Sequence, residues 1–154
     1  MEQNPDMVEQ ATVTTIIEKP PARCYQVAAD ITGYPQWAAD IKEAAIDEVD
    51  EQGRPQLVTF RAAAMGRSTT YTLRYDYSAA PRRLAWVLER GDITRKLDGW
   101  YEMAPVDGDP SQTEVTYHLE VDLIVPLPGF VKRRAEGRIM HTALAELKAF
   151  AESD

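Results

Sequence analysis

Residues 113–150 constrain the fold most, because their periodicity changes once, at a pair of prolines. Through residues 113–125 the pattern repeats every two: Val115, Tyr117, Leu119, Val121 and Leu123 share one face, while Glu114, Thr116, His118, Glu120 and Asp122 share the other. That is a strand with one face on a core and one in water. Pro126 and Pro128 cannot donate to a strand ladder, so the strand stops there. Beyond Gly129, the residues Ile139, Met140, Ala143, Leu144, Leu147 and Phe150 recur at three- and four-residue steps. This is the stripe of an amphipathic helix. A one-sided sheet must be covered, and one long terminal helix can cover it.

The preceding chain supplies the rest of the sheet. The β-branched residues 11–18 predict a strand, and Pro20-Pro21 then opens a short helix. Gly33 and Pro35 punctuate a turn before the large anchor Trp37. Strands are expected at 41–49, 57–65, 68–77, 84–90 and 97–103, with residues 105–112 as a loop. In 68–77, Tyr71, Leu73, Tyr75 and Tyr77 alternate with Thr70, Thr72, Arg74 and Asp76. Hairpin-length turns imply antiparallel pairing. The expected fold is α+β: a curved antiparallel sheet of about seven strands wrapped on a long C-terminal helix, with two short helices after the first strand. Residues 1–10 are expected to be a flexible terminus and 11–154 a single domain.

Several segments carry a family resemblance: Asp30, Tyr34, Pro35 and Trp37; Gly99 and Trp100; the strand at 113–123; and 125–139 leading into the last helix. Together they resemble the polyketide cyclase/dehydrase and lipid-transport group of the START-like, or Bet v 1-like, superfamily (also called SRPBCC). The resemblance covers roughly residues 11–150. It implies the helix-grip fold, with a hydrophobic cavity between sheet and last helix. It implies no universal set of catalytic residues.

Charge narrows the partners. The chain of 154 residues has a formal net charge of -8. That disfavours nucleic acid, which needs a basic surface, and firm docking on anionic membranes. Cys24 is the only cysteine, so no intrachain disulfide can form. The first ten residues have no signal-peptide pattern, and a cytoplasmic monomer or weak homodimer is expected.

No strong catalytic motif stands out. His118 and His141 are the only histidines, both at polar positions and without neighbours at metal-ligand spacing, so neither a metal nor a cofactor is implied. The candidate ligand-binding residues are Trp37, Tyr71, Leu73, Tyr75, Trp86, Leu88, Tyr101, Tyr117 and Leu119, with Lys132, Glu136, Gly137, Met140 and Ala143 on the last helix. Tyrosine offers an apolar ring and a hydroxyl that can orient a ligand. Lys132 and Glu136 lie on the stripe of Met140. They read either as a solvated i, i+4 pair contributing about 0.3 kcal/mol, or as polar groups at a cavity mouth. If there is chemistry, the candidates are Tyr75, Arg61 and Glu136. Three functions follow: a carrier of a hydrophobic small molecule such as a lipid or polyketide, a polyketide aromatase/cyclase or dehydratase, and a co-chaperone-like interaction module.

Overall fold

A computed structural model of the chain describes residues 8–64 and 66–153. Seven strands form one antiparallel sheet: β1 Glu9–Ile17, β2 Ile41–Val49, β3 Pro55–Ala64, β4 Arg67–Asp76, β5 Arg83–Gly91, β6 Thr94–Val106 and β7 Asp109–Leu123. Their spatial order is β1-β7-β6-β5-β4-β3-β2. Thus β1 crosses from one edge, while β2 to β7 run as a meander of hairpins. Helix α1 spans Pro21–Ala29, and a 3-10 helix, Ile31–Gln36, follows it. Helix α2, Gly129–Glu152, closes the chain. The helix-grip architecture expected from the sequence is the one observed.

Two expectations change. The chain enters β1 at Glu9, so Glu9 and Gln10 are paired with Val121 and Glu120 and do not belong to a loose terminus; residues 1–7 lie outside the described residues. Residues 105–112 are not a loop. Strands β6 and β7 continue through them and reverse at Asp107-Gly108, where Gly108 has φ +77°. Only glycine holds that left-handed conformation without strain, and Asp-Gly is a strong hairpin signal. The predicted strand 57–65 is described as far as Ala64, within β3, and Met65 lies outside the described residues.

The elements follow from local chemistry. Pro20 and Pro21 fix φ at the start of α1, where a missing N–H costs nothing. Pro128 does the same before α2. The strand register puts Val115, Tyr117, Leu119 and Val121 of β7 on the concave side, all nearly fully buried. Helix α2 turns Glu136, Met140, Leu144, Leu147 and Ala151 inward, packing against β1, β7 and α1. Its apolar members each contribute up to about 1.5–3 kcal/mol of burial. Because α2 approaches β1 and β7 most closely, the concave face towards β3, β4 and β5 is left partly open.

Candidate functional site

That opening is a cavity of about 160 Å³ between the concave sheet face and α2. Tyr71, Leu73 and Tyr75 of β4 form its floor with Trp86, Tyr101, Tyr117 and Leu119. Tyr34, Trp37, Ala38 and Asp40 close one side, and Ile139, Thr142, Ala143 and Glu146 of α2 form the roof. The aromatic walls are mutually braced. Tyr101 and Tyr117 have ring centroids 4.8 Å apart, and Trp86 lies 5.5 Å from Tyr101 and 6.0 Å from Tyr75. Tyr34 is held in place because its hydroxyl donates to the Ala28 carbonyl at 2.5 Å.

The phenols keep their protons. Burial pushes the hydroxyls of Tyr75, Tyr101 and Tyr117 well above the ordinary phenol value, with neighbouring hydroxyls adding to it. Burial raises Tyr71 too, and the Asp40 carboxylate adds to the effect. A protonated phenol is a hydrogen-bond donor, so the cavity can hold a carbonyl or hydroxyl oxygen.

Of the candidates named from sequence, Trp37, Tyr71, Leu73, Tyr75, Trp86, Tyr101, Tyr117, Leu119 and Ala143 are brought together around this space. Leu88, Lys132, Glu136, Gly137 and Met140 are not among its walls. Met140 packs in the core and Leu88 packs against it. Gly137 faces open space, since an added Cβ would meet nothing within 4 Å. Arg61 points to the convex side, exposed and paired with Glu43 at 2.8 Å. Tyr75, Arg61 and Glu136 therefore do not form one constellation.

Lys132 and Glu136 are not a solvated pair. Glu136 is fully buried and Asp122 is 2 % exposed. Lys132 Nζ lies 2.8 Å from Asp122 Oδ1 and 3.0 Å from Glu136 Oε2. Burial alone would pull Lys132 down, but its bonds to the two carboxylates hold the ammonium above its ordinary value. The cluster fastens the start of α2 to the end of β7.

The histidines and the cysteine also find their places. His118 is largely covered, in contact with Thr12 Oγ1 at 2.8 Å and Glu120 Oε2 at 3.1 Å, and stacked on Trp100. His141 is exposed. Cys24 is buried in the core, and burial pushes its thiol up. Among the described residues there is no cluster of three metal-ligating side chains.

Sequence reasoning missed the rim. Arg138 of α2 bonds Asp40 at 3.2 and 3.3 Å, and Glu146 Oε2 accepts the Ala39 N–H at 3.0 Å. These contacts strap α2 to the segment after the 3-10 helix. Ile139, Thr142, Ala143 and Glu146 are spaced three and four apart, so helical periodicity could have placed them together.

A family model described as polyketide cyclase / dehydrase and lipid transport matches residues 9–152. The chain belongs to the polyketide cyclase/dehydrase and lipid transport family. Solved structures agree with this membership in fold. A START superfamily protein from Mycobacterium smegmatis superposes with a TM-score of 0.83 at 22 % identity, covering 94 % of this chain and 97 % of that one. The Zhui aromatase/cyclase from Streptomyces sp. R1128 gives 0.78 at 18 % identity, covering 96 % and 93 %. The protein TTHA0849 from Thermus thermophilus gives 0.76 at 20 % identity, covering 94 % and 95 %. A search of the curated proteins returned no match. At such identities the likeness concerns the helix-grip fold alone. No described helix is long and apolar enough to cross a membrane.

Proposed function

We propose that this family member binds a hydrophobic small molecule, such as a lipid or polyketide fragment, in the cavity between sheet and α2. The observation that carries this reading is the wall itself: aromatic and aliphatic side chains around about 160 Å³, with protonated phenols of Tyr71, Tyr75, Tyr101 and Tyr117 at its floor. Mostly apolar concavities with a few placed polar groups are the usual form of small-molecule sites. A space of about 150 Å³ admits benzene, so a ring of that scale fits inside and a longer molecule leaves its tail at the rim. Native mass spectrometry and thermal shift across lipids and aromatic compounds test the reading. A bound mass, or a rise in Tm for one compound class, is expected; empty protein with no Tm gain for any compound would defeat it.

The convergence of four phenols favours a second reading, an aromatase/cyclase or dehydratase. There the cavity would fold a poly-β-keto chain into one conformer, and a phenol would polarise a carbonyl. Incubation with poly-β-keto substrates separates the two readings. Product mixtures identical with and without protein leave only binding.

A further inference from the structure

We infer that the cavity selects by charge, taking neutral ring compounds that accept hydrogen bonds, such as ketones and esters, and rejecting the corresponding carboxylates. This rests on the binding reading above and names its ligand class. Among the described residues, the cavity walls contain no lysine, arginine or histidine. They do contain two carboxylates, Asp40 and Glu146. Arg138 lies at the rim and pairs with Asp40. Glu146 is held by the backbone N–H of Ala39, which brings no compensating charge. Lys42 Nζ donates to the Ala39 carbonyl at 2.8 Å on the same segment, but among the described residues the walls themselves hold two carboxylates and no cation.

The field of that charge reaches the interior: after burial and the Tyr34 hydroxyl, Glu146 is what pushes the Tyr101 phenol up. The phenols donate to a ketone or an ester and more strongly to a carboxylate, so any selection against the anion must come from the cost of its charge and not from them. What separates the ligands is the cost of an unpaired charge. A carboxylate entering this space sheds water without gaining a cation. Its escape is to enter protonated. For an acid whose ordinary value lies near 4, that costs about a thousandfold at neutral pH, which bounds the penalty from above.

The test is an NMR titration of the full chain at neutral pH with acetophenone, methyl benzoate and benzoate. The ketone and ester are expected to shift resonances of the cavity walls, and benzoate to bind at least about tenfold more weakly. In Glu146→Gln the ratio of ester to acid affinity is expected to narrow. Benzoate binding as tightly as its ester would overturn the charge selection and leave the cavity's binding role intact. No response to any of the three, together with silence across the wider library, would overturn both. A ratio unchanged in Glu146→Gln would overturn the part assigned to Glu146.

Discussion

Glu136 of α2 accepts the backbone N–H of Leu123 at 2.9 Å, joining the start of the closing helix to the last paired residue of β7. The same oxygen takes the Lys132 ammonium, whose other partner is Asp122. Three charged groups thus fix where the helix leaves the sheet, and with it the roof of the cavity. Its second oxygen, Oε1, is buried and has no hydrogen-bond partner among the described residues. Among the described residues, Lys132 is the cation paired with Glu136.

Replacing that cation should be costly. Lys132→Met leaves the buried Glu136 without its paired ammonium and Asp122 with Arg95 at 3.5 Å, and breaking a buried pair from one side costs about 3–5 kcal/mol. We expect urea unfolding to show a loss near the lower end of that range, because Lys132 retains some exposure. A loss under about 1 kcal/mol, the scale of a surface pair, would mean that the cluster is solvated.

The same groups predict alkaline behaviour. The native pKa of Lys132 is raised, so its contribution is complete below the ordinary lysine value and is lost as pH climbs through the native one. The phenols act in the same direction: native Tyr34, Tyr71, Tyr75, Tyr101 and Tyr117 hold protons that the unfolded chain releases near pH 10. Stability should therefore fall above about pH 10. Tyrosinate absorbance from these five should appear together with the loss of the native circular dichroism. A smooth titration of all phenols near pH 10, with the fold intact, would contradict their burial.

Gly99 offers a sharper mechanical test. It sits in β6 opposite Trp86 on one side and Leu119 on the other. A Cβ there would collide with the His118 backbone carbonyl and press Leu119 Cδ1 and Trp86 Cζ2 at 3.0 Å each. The carbonyl belongs to a paired strand and cannot swing aside. Gly99→Ala should destabilise by about 2 kcal/mol or more, within or above the usual range for overpacking, read as a drop in Tm. Gly137→Ala, where a Cβ meets nothing, is the matched control and should be neutral or mildly stabilising because alanine favours helix.

Most of this architecture was legible because alternation and helical spacing are local. The pattern Tyr71, Leu73, Tyr75 on β4 identified the cavity floor, since burial on one face forces a period of two. The hairpin at Asp107-Gly108 was legible in principle, but the surrounding prolines and polar residues outweighed the dipeptide. The charge cluster was hidden for a different reason. Asp122 occupies a polar-face position on β7, and it is buried because Lys132 and Arg95 come to it from elsewhere in the fold. Nothing within a strand's own sequence records that. The rim at Asp40 and Glu146 is likewise made by two segments that meet only once α2 has docked.

Filling the cavity separates its use from its fold. Ala143 is half-buried on α2 and faces the open space, with Ile139 and Glu146 one turn away on either side. Ala143→Leu adds three carbons where the walls are already apolar. Each buried CH₂ contributes about 0.8 kcal/mol, and part of that is lost to imperfect fit, so a net gain of about 1 kcal/mol is expected. The variant should melt at a higher temperature than the wild-type chain when no ligand is present. It should also lose most of the Tm rise that a cavity ligand confers, because the two compete for the same volume. Calorimetric scans with and without a ligand found by thermal shift would show both effects. A variant that is stabilised yet binds as tightly as the wild type would place the ligand elsewhere on the molecule; one that is destabilised by more than about 1 kcal/mol, the overpacking range, would show that the space beside Ala143 is already filled by its neighbours.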